Sequence, residues 1–204
     1  MSPKVDLPPK AGFLEPKPKI LVELGCYMGV SALAWGAILK ELNEGKTDGG
    51  GVKVYSCELK EGFAKIARDF LDLAGLSSIV EVVVGESTKS LHFLHSSGKV
   101  PKGALDVLFL DHWKEFYLPD FREVEDLGLL REGSVILADN CDIPGAPDYL
   151  EYVRKGGRGG EGGFRLETGT VKVEMEGDKV AIPGMEGYPT DVEVTRVVGV
   201  PNAK

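Results

Sequence analysis

The sequence contains few cysteines, and they form no pairing or ligand pattern. Of its 204 residues only three are cysteine, and Cys26, Cys57 and Cys141 each fall near the end of a predicted strand. An odd, scattered count fits neither a disulfide framework nor a zinc site. Because such a count is typical of reduced thiols, we expect a cytoplasmic protein.

An excess of basic residues and a long apolar run are also missing. The formal net charge is −8, which argues against a nucleic-acid backbone as the main partner. No apolar run approaches the ~20 residues that a membrane span requires. Residues 1–19 lack the apolar core of a signal peptide. We therefore expect no nucleic-acid and no membrane partner, and a small molecule as the ligand.

Apolar runs alternate with segments of helical spacing through most of the chain. Between the runs, apolar residues recur every three or four positions, most clearly over 63–74, with Gly75 as the stop. This alternation predicts an α/β fold with a doubly wound, mostly parallel sheet. The predicted strands of its parallel part are 20–24, 52–57, 80–84, 105–110 and 134–138.

The last quarter of the chain differs in composition and in its apolar pattern. Six glycines between Lys155 and Gly163 predict an irregular loop at 155–163. Segments 170–175 and 191–197 alternate between apolar and polar residues, which predicts an antiparallel strand pair at the end of the sheet. There are no internal repeats, and the length suits a single core. We expect one domain over 1–204 that starts with an irregular segment, 1–19.

Polar side chains follow the fourth and fifth predicted strands. Asp111, His112, Trp113 and Lys114 come directly after the fourth strand, and Asp139-Asn140 follows the fifth. In an open parallel sheet, ligands bind beyond the carboxyl ends of the strands. If the two strands are neighbours, three oxygen ligands and an amine meet at one edge. That combination suits a hard divalent cation and a base-assisted reaction.

A glycine turn follows the first predicted strand. The strand ends at Glu23-Leu24, and the pattern E-x-G-x-x-x-G then leads into a helical segment. A dinucleotide site uses G-x-G-x-x-G to pack backbone amides against two phosphates, so this spacing weakens a pyrophosphate interpretation. A cationic cofactor such as S-adenosylmethionine has no phosphate, and acidic groups suit it better. Glu58, at the end of the second strand, is placed to accept both ribose hydroxyls. A nicotinamide-dependent oxidoreductase remains the alternative from another class.

The residues at these strand ends resemble one known family. D-H-W-K, followed by Y-L-P-D and A-D-N at these spacings, is similar to the catechol O-methyltransferases, which are small metal-dependent class I methyltransferases. The resemblance runs from about Ile20 to Arg154. The matching segments are 22–31, 84–87, 109–114, 117–120, 128–131, 137–140 and 144–148.

The resemblance implies a metal site and a general base. Asp111, Asp139 and Asn140 are the implied magnesium ligands, and Lys114 is the implied base that takes a proton from the catechol. Lys114 and Asn140 would also contact the substrate, and Pro144 would form a wall of its slot.

The resemblance also implies how the cofactor is held. Asp111 would lie beside S-adenosylmethionine as well as the metal. The implied contacts are Glu58 for the ribose, Ser87, His112 and Trp113 for the adenine, and Glu23, Gly25, Tyr27 and Ser31 for the methionine part.

A glutamate on the first late strand should hydrogen-bond the second catechol hydroxyl. Counting from Phe164, the best match is Glu174, and Glu167 is the fallback. Glu174 would then act in catalysis and in substrate binding. Since it stands among alternating charges, a solvated face of the strand explains it equally well.

The expected function is magnesium-dependent transfer of a methyl group from S-adenosylmethionine to a catechol-type hydroxyl. The runner-up is a truncated or divergent homologue that keeps both sites and has little activity. The family carries about two helices ahead of its first strand, whereas nineteen residues precede Ile20 here. We therefore expect weak cofactor affinity, and an exposed apolar face that favours self-association.

Overall fold

The computed structural model describes residues 17–43, 51–158, 163–171 and 191–200. Within these ranges one seven-stranded sheet has the order β3-β2-β1-β4-β5-β7-β6. The strands are β1 Ile20–Leu24, β2 Lys53–Glu58, β3 Val80–Val84, β4 Leu105–Leu110, β5 Leu130–Ala138, β6 Arg165–Val171 and β7 Val192–Gly199. The helices are α1 Val30–Leu42, α2 Glu61–Leu73, α3 Ser87–Ser96, α4 Tyr117–Asp126 and α5 Pro147–Arg154.

The first five strands are parallel, as the alternation of runs predicts. The chain passes outward from β1 through β2 to β3, and then returns to place β4 on the other side of β1. The sheet order therefore reverses between β1 and β4, and such a switch point opens a crevice for ligands at the carboxyl edge. Leu24 pairs with Leu110, and Leu110 pairs with Ala138, so three neighbouring strands end level with one another.

The antiparallel pair at the end of the sheet is confirmed, with different bounds. Among the described residues the first late strand runs over Arg165–Val171, so it starts five residues before the predicted 170; Leu166 is buried, and Gly169 obscures the alternation in the sequence. Residues 172–190 lie outside the described residues. Strand β7 runs antiparallel to β5 and to β6, so β6 runs in the same direction as β5.

Strand β5 starts four residues earlier than its apolar run indicates. The polar stretch at its beginning is accommodated because the Arg131 guanidinium forms an ion pair with the Asp106 carboxylate on β4. The Ser134 hydroxyl also donates to the Leu105 carbonyl at 2.6 Å. These partners lie far away in sequence, which explains why the local pattern hides this part of the strand.

Two separate apolar cores lie on the two faces of the sheet. Helices α1 and α2 cover one face and bury Leu39 and Leu71 against it. Helices α3, α4 and α5 cover the other face, where Phe121 and Tyr149 are fully or almost fully buried. Helix α5 has no clear signal in the sequence. It starts with proline at its first position, where the missing N–H costs nothing, and Val153 adds to its buried side.

The outer face of α2 carries exposed apolar side chains. Ile66, Phe70 and Leu73 are 37%, 48% and 84% exposed. Residues 1–16 lie outside the described residues, so self-association through an apolar face stays a prediction. None of the helices that the structure describes is long and apolar enough to cross a membrane.

Gly25 is the position where two strand ends approach most closely. Its φ is +107°, and a Cβ there would lie 2.4 Å from the Asp111 carbonyl oxygen. Gly75, with φ +66°, has nothing within 4 Å of its virtual Cβ. Both glycines therefore have a positive φ, but only at Gly25 does the backbone of a neighbouring strand end leave no room for a Cβ.

We predict that Gly25→Ala is far more destabilising than Gly75→Ala. The Gly75 variant should lose about 1–2 kcal/mol of unfolding free energy from backbone strain alone. The Gly25 variant should lose a further ~1–3 kcal/mol, because the added methyl group must displace the Asp111 backbone. Urea unfolding of both variants checks this. Equal losses would mean that the close approach does not constrain the turn.

Candidate active site

The glycine turn lies at the switch point between β1 and β4. The Gly25 amide donates to the Cys57 carbonyl at 3.0 Å, and the Asp111 amide donates to the Leu24 carbonyl at 2.9 Å. These bonds continue the ladder for one residue past the strand ends. Gly29 then adopts φ +89° directly before α1. Its virtual Cβ would lie 2.8 Å from the Ala67 Cβ, so the turn also needs glycine to let α2 approach.

The Glu58 carboxylate holds this turn from the neighbouring strand. Its Oε2 accepts the Tyr27 amide at 2.7 Å, and its Oε1 accepts the Lys60 amide at 2.9 Å. The first bond supports the left-handed conformation of Tyr27, which has φ +49°. Each carboxylate oxygen accepts more than one hydrogen bond, so capacity remains for the hydroxyls of a ribose.

Glu23 is fully buried beneath the turn. Its Oε2 accepts the Ser56 hydroxyl, and its Oε1 has no partner among the described residues. Burial raises the pKa of Glu23 from its ordinary 4.5 to about 7, and hydrogen bonds from Ser31 and Ser56 oppose that rise. An unpaired buried carboxylate oxygen beside the switch point suits a cationic or hydrogen-bond-donating group of a ligand.

The structure brings the two predicted strand-end clusters together. Lys114 begins a short 3-10 turn after β4, and its Nζ lies 3.7 Å from the Asp111 Oδ1 and 3.5 Å from the Asn140 Oδ1. The Asp139 amide donates to the Leu110 carbonyl at 3.0 Å, which fixes the end of β5 beside the end of β4. Asn140 has φ +52° and leads into the π-helical turn Cys141–Gly145.

Burial perturbs the charges of this cluster. It lowers the pKa of Lys114 below its ordinary value, although Asp111 and Asp139 oppose that shift. It raises the pKa of Asp111, where Asp139 adds to the rise and Lys114 opposes it. An amine with a lowered pKa is more often neutral and can accept a proton. Side chains with shifted pKa values cluster at functional sites.

The oxygen atoms of this cluster are of the kind that a hard cation prefers. Among the described residues, no group of three or more His, Cys, Asp and Glu side chains could hold a metal. The cluster instead combines the Asp111 and Asp139 carboxylates with the Asn140 amide oxygen. Oxygen ligands completed by water are what Mg²⁺ prefers, and a cation would stabilise the ionised Asp111 carboxylate, whose pKa burial and, to a lesser extent, Asp139 raise.

The residues expected around the adenine meet at a buried carboxylate. The Asp120 Oδ2 lies 2.8 Å from the His112 Nε2, and its Oδ1 accepts the Thr88 hydroxyl at 2.9 Å. Burial alone would raise the pKa of Asp120, but hydrogen bonds from His112, Ser87 and Thr88 hold it below its ordinary value. Asp120 therefore ties the start of α3 to the segment after β4. The neighbouring Trp113 is 73% exposed and open to a ligand.

A groove of about 790 Å³ adjoins the cluster on the side of α4 and α5. Trp113, Lys114 and Pro144 are among the residues that line it. The arrangement places an apolar surface next to the amine, as a slot for an aromatic acceptor requires.

The predicted glutamate partner on the late strands is not among these residues. Glu174 lies outside the described residues and stays a prediction. Glu167 pairs with Arg196, which in turn pairs with Val135 on β5. Val135 is four residues before Asp139, about 13 Å at ~3.3 Å per residue. The structure therefore does not bring Glu167 to the cluster.

Sequence reasoning gave no role to three polar residues that the structure buries. Asp120 and Tyr117 stand in the matched segment 117–120, and both are buried on α4. Glu193 is 1% exposed and accepts hydrogen bonds from Arg154 at 2.9 Å. For Tyr117 the sequence offers one usable signal. It stands three residues after Lys114, a spacing that places both side chains on one helical turn.

The chain matches the family model of a methyltransferase domain over residues 22–141. A crystal structure of the O-methyltransferase from Bacillus cereus in complex with SAH superposes with a TM-score of 0.64. That comparison covers 96% of this chain and 84% of the other at 20% identity, so it shows the fold alone. The chain is therefore a methyltransferase-domain protein of the Rossmann-like class I fold that the sequence predicts.

The sequence also places the chain in a particular family. It is 42% identical to the catechol O-methyltransferase of Sus scrofa over 144 residues, which cover 71% of this chain and 72% of the relative. It is 39% identical to that of Bos taurus over 172 residues, 84% of this chain and 56% of the relative. The chain belongs to the catechol O-methyltransferase family, which confirms the resemblance. It spans little more than half the length of the bovine relative.

We predict that Glu23 makes the stability of the protein fall as the pH rises. The unfolded chain ionises Glu23 above its ordinary pKa of 4.5, whereas the folded protein retains the proton up to about pH 7. Folding stability is therefore lost progressively between these values, by up to about 3 kcal/mol at 1.36 kcal/mol per pKa unit.

Glu23→Gln resembles the protonated acid and should abolish this loss. At pH 8 the variant should unfold at higher urea concentration than the parent, and at pH 4.5 the two should coincide. Glu61→Gln is the matched control, because that side chain is 67% exposed. A Glu23→Gln protein that is equally destabilised at both pH values would contradict the assignment.

Proposed function

We propose that this protein transfers a methyl group from S-adenosylmethionine to one hydroxyl of a catechol-type substrate, with Mg²⁺ at the site. The observation behind the proposal is the position of the Lys114 amine, 3.5 Å from the Asn140 Oδ1 and 3.7 Å from the Asp111 Oδ1. An amine with a lowered pKa beside a cluster of oxygen ligands can deprotonate an acceptor that binds there. Membership of the catechol O-methyltransferase family supports the same chemistry.

The glycine turn is the proposed cradle of the cofactor. Gly25 and Gly29 let the turn lie close to β4 and α2, and the Glu58 carboxylate is proposed to accept the ribose hydroxyls. Glu23, whose Oε1 has no partner in the part of the chain that the structure describes, is proposed to face the methionine part together with Tyr27. Ser31, Ser87, His112 and Trp113 complete the proposed contacts. The cofactor supplies the methyl group, and these residues orient it.

Lys114 is the proposed general base. A phenol of pKa about 10 is mostly protonated at neutral pH and is a poor nucleophile. Burial lowers the Lys114 pKa, which increases the fraction of neutral amine that can accept the proton at Nζ. The groove beside Pro144 would hold the aromatic ring so that one hydroxyl faces the amine. Positioning of the two reactants would supply much of the rate enhancement.

Asp111, Asp139 and Asn140 are the proposed metal ligands. Bound Mg²⁺ would lower the pKa of the hydroxyl that it contacts and orient both oxygens of the diol. The late-strand glutamate, Glu174, stays the proposed partner of the second hydroxyl.

The decisive test is product formation by the purified chain. Incubation with S-adenosylmethionine, catechol and Mg²⁺ should yield monomethylated product by mass spectrometry, and EDTA should abolish it until Mg²⁺ is restored. Phenol, which has one hydroxyl, is the control acceptor and should give little product. Cofactor binding without product would favour the low-activity homologue, and product in EDTA would exclude the proposed metal role.

We predict that Lys114→Ala slows transfer without weakening the cofactor. The turnover number should fall by ~10²-fold or more, the range for loss of a general base. The Michaelis constant for S-adenosylmethionine should stay within about twofold, because Glu23 and Glu58 remain. Lys89→Ala is the control, since that side chain is 75% exposed on α3. Unchanged turnover in the Lys114 variant would remove this residue from the mechanism.

A further inference from the structure

Tyr117 lies beneath the proposed base and has no exposed surface. The Lys114 Nζ donates to its hydroxyl at 2.5 Å, and the same ammonium lies 4.5 Å from the centre of its ring. The Tyr117 ring also stacks on His112, at 5.1 Å between ring centres. One buried side chain thus contacts both the base and a proposed adenine residue.

The Tyr117 hydroxyl is itself anchored at the ends of both strands that carry the proposed metal ligands. It lies 2.6 Å from the Leu110 carbonyl oxygen and 3.0 Å from the Asp139 carbonyl oxygen. A phenol has one proton to donate, so the two carbonyls share it, and its lone pairs remain for Lys114. A tyrosine hydroxyl of ordinary pKa about 10 is protonated at neutral pH, so it has a proton for these carbonyls.

Among the residues that the structure describes, the Lys114 amine has two other oxygen neighbours within 4 Å, and both belong to the proposed metal site. They are the Asp111 Oδ1 at 3.7 Å and the Asn140 Oδ1 at 3.5 Å, each more distant than the Tyr117 hydroxyl. If those oxygens serve a cation, Tyr117 is the remaining one of the three that can hold the amine. A neutral amine that donates one N–H to Tyr117 keeps its lone pair free for the proton of an acceptor.

We propose that Tyr117 is the positioning residue of the proposed base: its hydroxyl, fixed on the Leu110 and Asp139 carbonyls, holds the Lys114 amine over the substrate site. The inference rests on the proposed function, because it presumes that Lys114 accepts the acceptor's proton. Tyr117 touches neither substrate nor cofactor in this role. Tyr117 acts through Lys114, because its single hydroxyl contacts the Lys114 amine and the backbone at the ends of β4 and β5.

Tyr117→Phe tests the proposal with little change in shape. The turnover number should fall about tenfold, the upper end of what the loss of one neutral hydrogen bond gives. The Michaelis constant for S-adenosylmethionine should stay within about twofold. Tyr152→Phe is the matched control, because it removes a hydroxyl that donates to Glu125 at 2.6 Å in the same helical layer. Its turnover should equal that of the parent.

A double-mutant cycle separates positioning from general support of the fold. In the Lys114→Ala background, Tyr117→Phe should change the residual rate by less than about twofold, since the group through which it acts is gone. A further tenfold loss in that background would show a role independent of Lys114 and overturn the proposal. So would a turnover of Tyr117→Phe within about twofold of the parent.

Chemical labelling tests the contact even if the parent transfers no methyl group. Lys114 should react slowly with trinitrobenzenesulfonate in the parent, because its side chain is only 13% exposed. Tyr117→Phe should speed its labelling several-fold relative to Lys89, as measured by peptide mass spectrometry, and Tyr152→Phe should not. Equal labelling in parent and Tyr117→Phe would contradict the anchor. An inactive parent with faster labelling in Tyr117→Phe would instead refute only the proposed function.

Discussion

The parallel pairing of β4 with β1 on one side and β5 on the other is the constraint on which the site depends. Leu24 is level with Leu110, and Leu110 with Ala138. The next residues along the three strands are Gly25, Asp111 and Asp139, so they emerge at one edge. A slip of one residue in either pairing would turn alternate side chains to the opposite face and separate these groups.

This pairing also explains why the site tolerates buried charge. Backbone hydrogen bonds continue one residue past the strand ends, so the amides of Gly25, Asp111 and Asp139 need no side-chain partner. The side chains are then free to serve a ligand or one another. Glu58 stabilises the turn from β2, Asp120 ties α3 to the segment after β4, and Tyr117 joins the ends of β4 and β5. Each connects segments that are distant in sequence.

Local patterns predicted the parts of this arrangement that depend on local chemistry. The parallel strands, the glycine turn and the convergence of Asp111 with Asp139 follow from where apolar runs stop and polar residues begin. The polar start of β5 did not follow, because it depends on Arg131 meeting Asp106 across the sheet. Helix α5 was also missed, since its buried residues are few and its length is short.

Buried polar residues were harder to predict, because their partners are not sequence neighbours. Glu193 alternates on its strand like a solvated charge, yet it is 1% exposed and accepts hydrogen bonds from Arg154 and Thr170. The sequence pattern indicates only an ordinary core aromatic at Tyr117. The structure shows that its hydroxyl contacts Lys114 and the Leu110 and Asp139 carbonyls. A partner distant in sequence contributes to both cases, Arg154 for Glu193 and the Asp139 carbonyl for Tyr117, and apolar periodicity contains no information about either.

The central claim is that the ends of β4 and β5 form one cation site. Manganese(II) binding, followed by electron paramagnetic resonance, tests it without requiring catalysis. Asp111→Ala and Asp139→Ala should each weaken binding about tenfold or more. The double variant should lose less than the sum of the two losses, because both ligands serve one ion. Asp142→Ala, an exposed acid on the adjoining turn, should bind as the parent does. Unchanged affinity in either single variant would contradict a shared site.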